Sequence, residues 1–179
     1  MTAKPTDTLL RLGKLLAMIL QGFCVLAGGI VLLITAFVVL LSQNMLTSVA
    51  ELSDFPLIEV SPLSVVSVLL MLAASLGALF SFFGKMRAII KSVGEQDPFI
   101  AENAQRLSTM AWLLLGVQIL ALPIGLLRLR LANLVSAGGD SLDFSIYDLQ
   151  APLMILVLFI LARVFRIGAA MREDIEGTV

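Results

Sequence analysis

The sequence predicts an all-α integral membrane protein with four transmembrane helices. Three observations carry that expectation. The chain is 59% hydrophobic and only 14% charged, with mean hydropathy +1.04, whereas a soluble domain is about half apolar and about a quarter charged. The apolar residues come in runs of roughly 20 or more, the length that carries a helix across a hydrocarbon core of about 30 Å. Lys and Arg gather on one side of those runs, as they do when a chain is threaded repeatedly through a bilayer.

The first span covers about residues 12–42 and is longer than a crossing requires, so it tilts or protrudes. Lys4, Arg11 and Lys14 precede it. They do not mark a cleaved signal peptide, because the apolar run continues far beyond a signal core of about 7–15 residues. Cys24 is the one cysteine and sits inside this run as a small apolar residue. The second span covers about 62–84 and the third about 107–127. The fourth covers about 149–168, with Arg163 and Arg166 in its last turns, where their stems reach toward the interface. Pro62 and Pro152 are placed at helix starts, where a missing N–H costs nothing. Pro123 bends the outer part of the third span. The whole chain, residues 1–179, reads as one four-span domain.

Ten of the 12 Lys and Arg residues fall before the first span, between the second and third, or after the fourth. Only Arg128 and Arg130 lie on the other side, together with Glu51, Asp54, Glu59, Asp140, Asp143 and Asp148. The excess of positive charge places both termini and the 85–106 connection in the cytoplasm. The opposite segments, 43–61 and 128–148, contain short alternating runs, Leu57–Val60 and Leu142–Tyr147, that suggest a small extracytoplasmic β cap. The stretch 126–135 either continues the third helix or lies along the interface.

Few residues carry chemistry. There is no histidine, which removes the commonest general base and metal ligand. No phosphate-cradling glycine loop, nucleophile elbow or metal cluster is present, so the sequence predicts no enzyme, no cofactor, no metal site and no direct contact with nucleic acid. Ala73, Gly77 and Ser81 recur at spacing four in the second span. They are expected to let helices approach closely, within one bundle or, as the second option, at a homo-oligomer seam. Gln21 and Gln118 are the long polar side chains deepest in the spans, read as interhelical hydrogen-bonding groups. No acid or base lies mid-span, which argues against coupled transport.

The stretch 94–107, GEQDPFIAENAQRL, interrupts the apolar pattern. Asp97 is placed as an N-cap with Pro98 at the first helical position. Glu102 and Arg106 then form an i,i+4 pair on the third helix. Asp97, Pro98, Phe99, Glu102, Asn103 and Arg106, with Arg163 and Arg166, make up a candidate partner surface. The two arginines are expected to pair with Glu95, Asp97 or Glu102 and so tie the fourth helix to the corner.

This corner, together with the ending Ala162–Gly168 and Glu173–Val179, resembles a bacterial membrane family catalogued as domain of unknown function 2975. The resemblance covers nearly the whole chain and rests on a Pro-Phe, Glu-Asn, Arg-Leu corner and a Phe-Arg-x-Gly…Thr-Val tail. Ile100 departs from it: Thr or Ser is common there in the family, which would shift the helix cap to that position. The resemblance implies no catalytic residues. Such proteins are often encoded beside small helix-turn-helix regulators, which implies a cytoplasmic partner. The leading expectation is therefore a regulatory or sensing protein of a bacterial inner membrane that engages such a partner. A channel or transporter subunit, or an accessory subunit of a larger membrane complex, is the alternative.

Overall fold

The computed structural model describes residues 5–44, 62–95, 97–135 and 146–176, nearly all of them helical. The helices are α1 (Pro5–Asn44), α2 (Pro62–Gly94), α3 (Ala101–Val135) and α4 (Ile146–Glu176). Each contains a window long and apolar enough to cross a membrane. The protein is a multi-pass membrane protein, with four transmembrane helices among the described residues.

Neighbours in sequence are the neighbours in space: α1 packs on α2, α2 on α3, and α3 on α4. The pairing is antiparallel. A Cβ added to Gly28 would lie 3.9 Å from that of Leu76, and one added to Gly13 would lie 3.5 Å from the Ile90 side chain. Along this register the start of α1, the end of α2, the start of α3 and the end of α4 share one end of the molecule. Arg11, Lys14, Lys85, Arg87, Lys91, Arg106, Arg163, Arg166 and Arg172 all lie toward it, and it is called the basic end below.

The helices are longer than the bilayer needs. At about 1.5 Å per residue, the ten residues from Lys85 to Gly94 carry α2 about 15 Å past Gly84, where the span expected from the sequence ends. The core sits toward the same end. Leu107, Met110, Ala111, Leu158 and Ala162 are buried there, with Phe82, Met86, Ile89, Leu114, Phe159 and Phe165 against them. Trp112 meets Phe159 edge to face, with ring centroids 5.5 Å apart.

Several expectations are revised. Pro62 does begin α2, but Pro152 lies inside α4, which starts at Ile146, and there a proline forfeits one helix hydrogen bond. The stretch 126–135 continues α3, which also runs through Pro123. Of the residues assigned to a β cap, Ile146 and Tyr147 are the first turn of α4. Leu57–Val60 and 142–145 lie outside the described residues.

Candidate functional site

The functional surface expected from the sequence lies at the basic end, and its geometry starts with how α2 stops. The Glu95 N–H donates to the Lys91 carbonyl at 3.1 Å, and the Asp97 N–H donates to the Ser92 carbonyl at 3.1 Å. Asp97 therefore closes the last turn of α2 and does not open α3. The first residue of α3 is Ala101, and the Asn103 N–H donates to the Ile100 carbonyl at 3.0 Å. The cap position is thus Ile100, not Asp97. An isoleucine has no side-chain oxygen to offer the free N–H groups of a helix start, so the corner is held together in another way.

Asn103 supplies that connection. Its side chain is fully buried, at 0% exposure, and Ser92 beside it is also buried. The Asn103 Nδ2 donates to Ser92 Oγ at 2.6 Å and to the Pro98 carbonyl at 2.9 Å. Its Oδ1 accepts from Arg106 at 2.8 Å. Ser92 in turn donates to the Ile89 carbonyl at 2.8 Å. An amide has two donor hydrogens and an acceptor oxygen, and here all of them are used. One side chain joins the end of α2, the turn and the first turns of α3. Arg106, expected to pair with Glu102, is instead bound to this amide, and Glu102 is exposed at the rim.

The tie to α4 forms, but through a different arginine. Arg172 pairs with Asp97, both side chains being roughly half exposed. Among the described residues Arg163 and Arg166 form no ion pair; they are exposed on α4. Arg172 lies six residues beyond Arg166, where α4 draws level with the turn. Phe99 completes the contact. Its ring lies 5.3 Å from that of Phe165, and a Cβ on Gly168 would come within 2.8 Å of the Phe99 ring. The turn thus rests on α4 where α4 has no side chain. Between the two is an open cleft of about 290 Å³, with Asp97, Ile100, Glu102, Arg172 and Glu173 among its walls.

Sequence reasoning finds Asp97, Pro98, Phe99, Asn103 and Arg106 and the structure brings them together, while Ser92 and Arg172 are not among the expected site residues. Phe165 and Gly168 enter the sequence reading only through the Phe-Arg-x-Gly tail of the resemblance.

Within the chain the small-residue stripe is not where the described helices meet. Gly77 has open space where a Cβ would be, and Ser81 is exposed with its hydroxyl returned to the Gly77 carbonyl at 3.1 Å. Ala73 is half-buried. The close approach between α1 and α2 uses Gly13, Gly28 and Gly84. Gln21 and Gln118 do not share a cavity. Gln21 faces a groove between α1 and α2, and Gln118 faces one between α3 and α4 beside Gln150 and Met154. Among the described residues no group of three acidic, cysteine or histidine side chains is arranged to hold a metal ion.

Residues 50–179 match a family described as a protein of unknown function, DUF2975, a region that takes in α2, the corner, α3 and α4, with α1 preceding it. No curated protein matches the chain, and no solved structure does.

Proposed function

The chain belongs to the DUF2975 family, and from that premise and the corner geometry we propose that it is a membrane-embedded regulatory or sensing protein whose basic end engages a cytoplasmic protein. The orientation in this reading follows the excess of Lys and Arg at that end. The observation that supports it most is the cleft between the turn and α4. It stands beyond the apolar spans, and its shape depends on two partly exposed contacts, Asp97 with Arg172 and Phe99 on Gly168. An ion pair of that kind contributes little to stability, about 0–1 kcal/mol, so a partner or a change in the membrane can shift the end of α4 beyond Gly168 at small cost, without disturbing the core between α3 and α4. Glu102 and Glu173 present acidic groups at the cleft on an end otherwise rich in base. They are complementary in charge to the basic surface of a DNA-binding protein, which suits a helix-turn-helix regulator as the partner.

The test uses the full chain in nanodiscs and a purified small helix-turn-helix regulator of the kind implied by the family resemblance. Binding should weaken roughly tenfold on Glu102→Lys with Glu173→Lys, about 1.4 kcal/mol, while the helical spectrum is unchanged. Equal binding by both proteins, or no binding by either, would overturn the proposal.

A further inference from the structure

A second site lies on the opposite flank of the basic end, between α1 and α2, and does not depend on the partner reading. Lys14, Gln21, Gly84, Arg87, Ala88 and Lys91 line a groove of about 330 Å³ there. Its construction follows from the register of the two helices. Gln21 lies against Gly84, with its Nε2 3.2 Å from where a Cβ would stand, and Gly13 lies against Ile90. Lys14 and Lys91 therefore share one level. Arg87 lies one turn deeper and Gln21 about one turn deeper again. Gly84 and Ala88 give the floor almost no side chain, which is what leaves the space open.

The groove gathers charge of one sign without neutralising it. Among the described residues neither Lys14 nor Arg87 has an ion-pair or hydrogen-bond partner. Lys91 meets Glu95 at 3.7 Å, but both side chains are mostly exposed, and such an i,i+4 pair holds its partners weakly. Two helices thus direct three cations and one amide donor into a common space at the boundary of the apolar spans. Holding like charges together has a cost that an anion removes. Guanidinium, ammonium and amide N–H groups are all donors, and a phosphate supplies several acceptor oxygens.

We propose that this groove is a phosphate-binding site, taking the phosphodiester of an anionic lipid headgroup or a free phosphate. Its depth suits the lipid. Gly84 ends the second apolar span read from the sequence and Lys91 stands two turns beyond it, so the groove crosses the boundary at which headgroups are expected. A zwitterionic headgroup carries an ammonium group, quaternary in phosphatidylcholine, that the same three charges repel, so the site discriminates by net charge.

The test is binding by the full chain, with helical content checked by circular dichroism. Detergent-solubilised protein is titrated with phosphatidylglycerol, with phosphatidylcholine, and separately with inorganic phosphate. A lipid site predicts saturable binding of phosphatidylglycerol over phosphatidylcholine, weakened roughly tenfold by Arg87→Gln, about 1.4 kcal/mol, and unaffected by Lys85→Gln, since Lys85 lies outside the groove. Saturable binding of inorganic phosphate with the same dependence on Arg87 assigns the site to a free anion. Lys14→Gln, at an exposed position, serves in place of Arg87→Gln if that variant does not fold. Equal loss in Lys85→Gln, or no difference between the wild type and the groove variants, would overturn the proposal and reduce the cluster to ordinary surface charge.

Discussion

Gly168 has no side chain at the place where the Phe99 ring rests, and that gives a measurable coupling. In a helix Ala is favoured over Gly by about 1 kcal/mol, so Gly168→Ala alone would ordinarily stabilise α4. With Phe99 in place, the new methyl group meets the ring at 2.8 Å, and the ring must leave Phe165. Gly168→Ala is therefore expected to be neutral or destabilising in the wild type, and stabilising by about 0.5–1 kcal/mol in a Phe99→Ala background. Thermal unfolding of the four proteins in detergent measures this, and additive effects would show that the ring does not rest on Gly168. The same scale explains what the sequence could reveal of the site. Asp97, Pro98 and Phe99 stand out because turn and cap chemistry is local. Asn103 stands out only as a polar residue near a helix start. That it is the most deeply buried polar group depends on Ser92, eleven residues earlier, and on a turn whose path brings the two together. Arg172 is harder still. Its pairing with Asp97 depends on how far α4 rises past the turn, which interhelical packing decides and residue spacing does not.

Among the elements, α1 packs chiefly on one neighbour, α2. Its buried and half-buried positions are Leu10, Gly13, Ala17, Leu20, Gln21, Cys24, Ala27, Gly28, Val31, Thr35, Val38 and Leu41, and the rest of its described surface is exposed. Most of these positions recur three or four residues apart, the spacing of one helix face, and several are small. A single seam against α2 thus holds α1, and its remaining apolar surface is left for lipid. The seam is testable by cross-linking. Gly28 and Leu76 have Cβ positions 3.9 Å apart, within the range of about 3.5–4.5 Å that a disulfide spans. In a Cys24→Ser background, Gly28→Cys with Leu76→Cys should oxidise to an intramolecular cross-link, whereas Gly77→Cys in place of Leu76→Cys should not. The spans themselves are legible in sequence because a bilayer imposes length and hydropathy on each helix separately. Their partners are not. In lipid the apolar effect does not separate a helix face that meets another helix from one that meets an acyl chain, so the stripe Ala73, Gly77, Ser81 resembles a seam and yet its central glycine opens to empty space.

For the whole molecule, the serial antiparallel order fixes which ends travel together. Thr8, Glu95 and Glu173 are all exposed and all at the basic end, so cysteines placed there one at a time in a Cys24→Ser background should behave alike toward an impermeant maleimide. With that end inside, none reacts in intact cells and all react after lysis. Reaction of all three in intact cells would reverse the orientation while keeping the fold. Disagreement among them would break the helix order itself. The length of α2 beyond Gly84 has a further consequence, in the reach of electric fields. From Arg87 to the end of the helix at Gly94 is seven residues, or about 10 Å. The Debye length is about 8 Å at physiological ionic strength and about 30 Å at 0.01 M. A protein approaching the corner in cellular salt is therefore largely screened from the charge of the headgroups and responds to the charged side chains of the corner itself, Glu102, Arg172 and Glu173 among them. In dilute buffer the same approach is governed by the whole bilayer surface, so the lipid composition of the vesicle should alter docking at the corner only when salt is low.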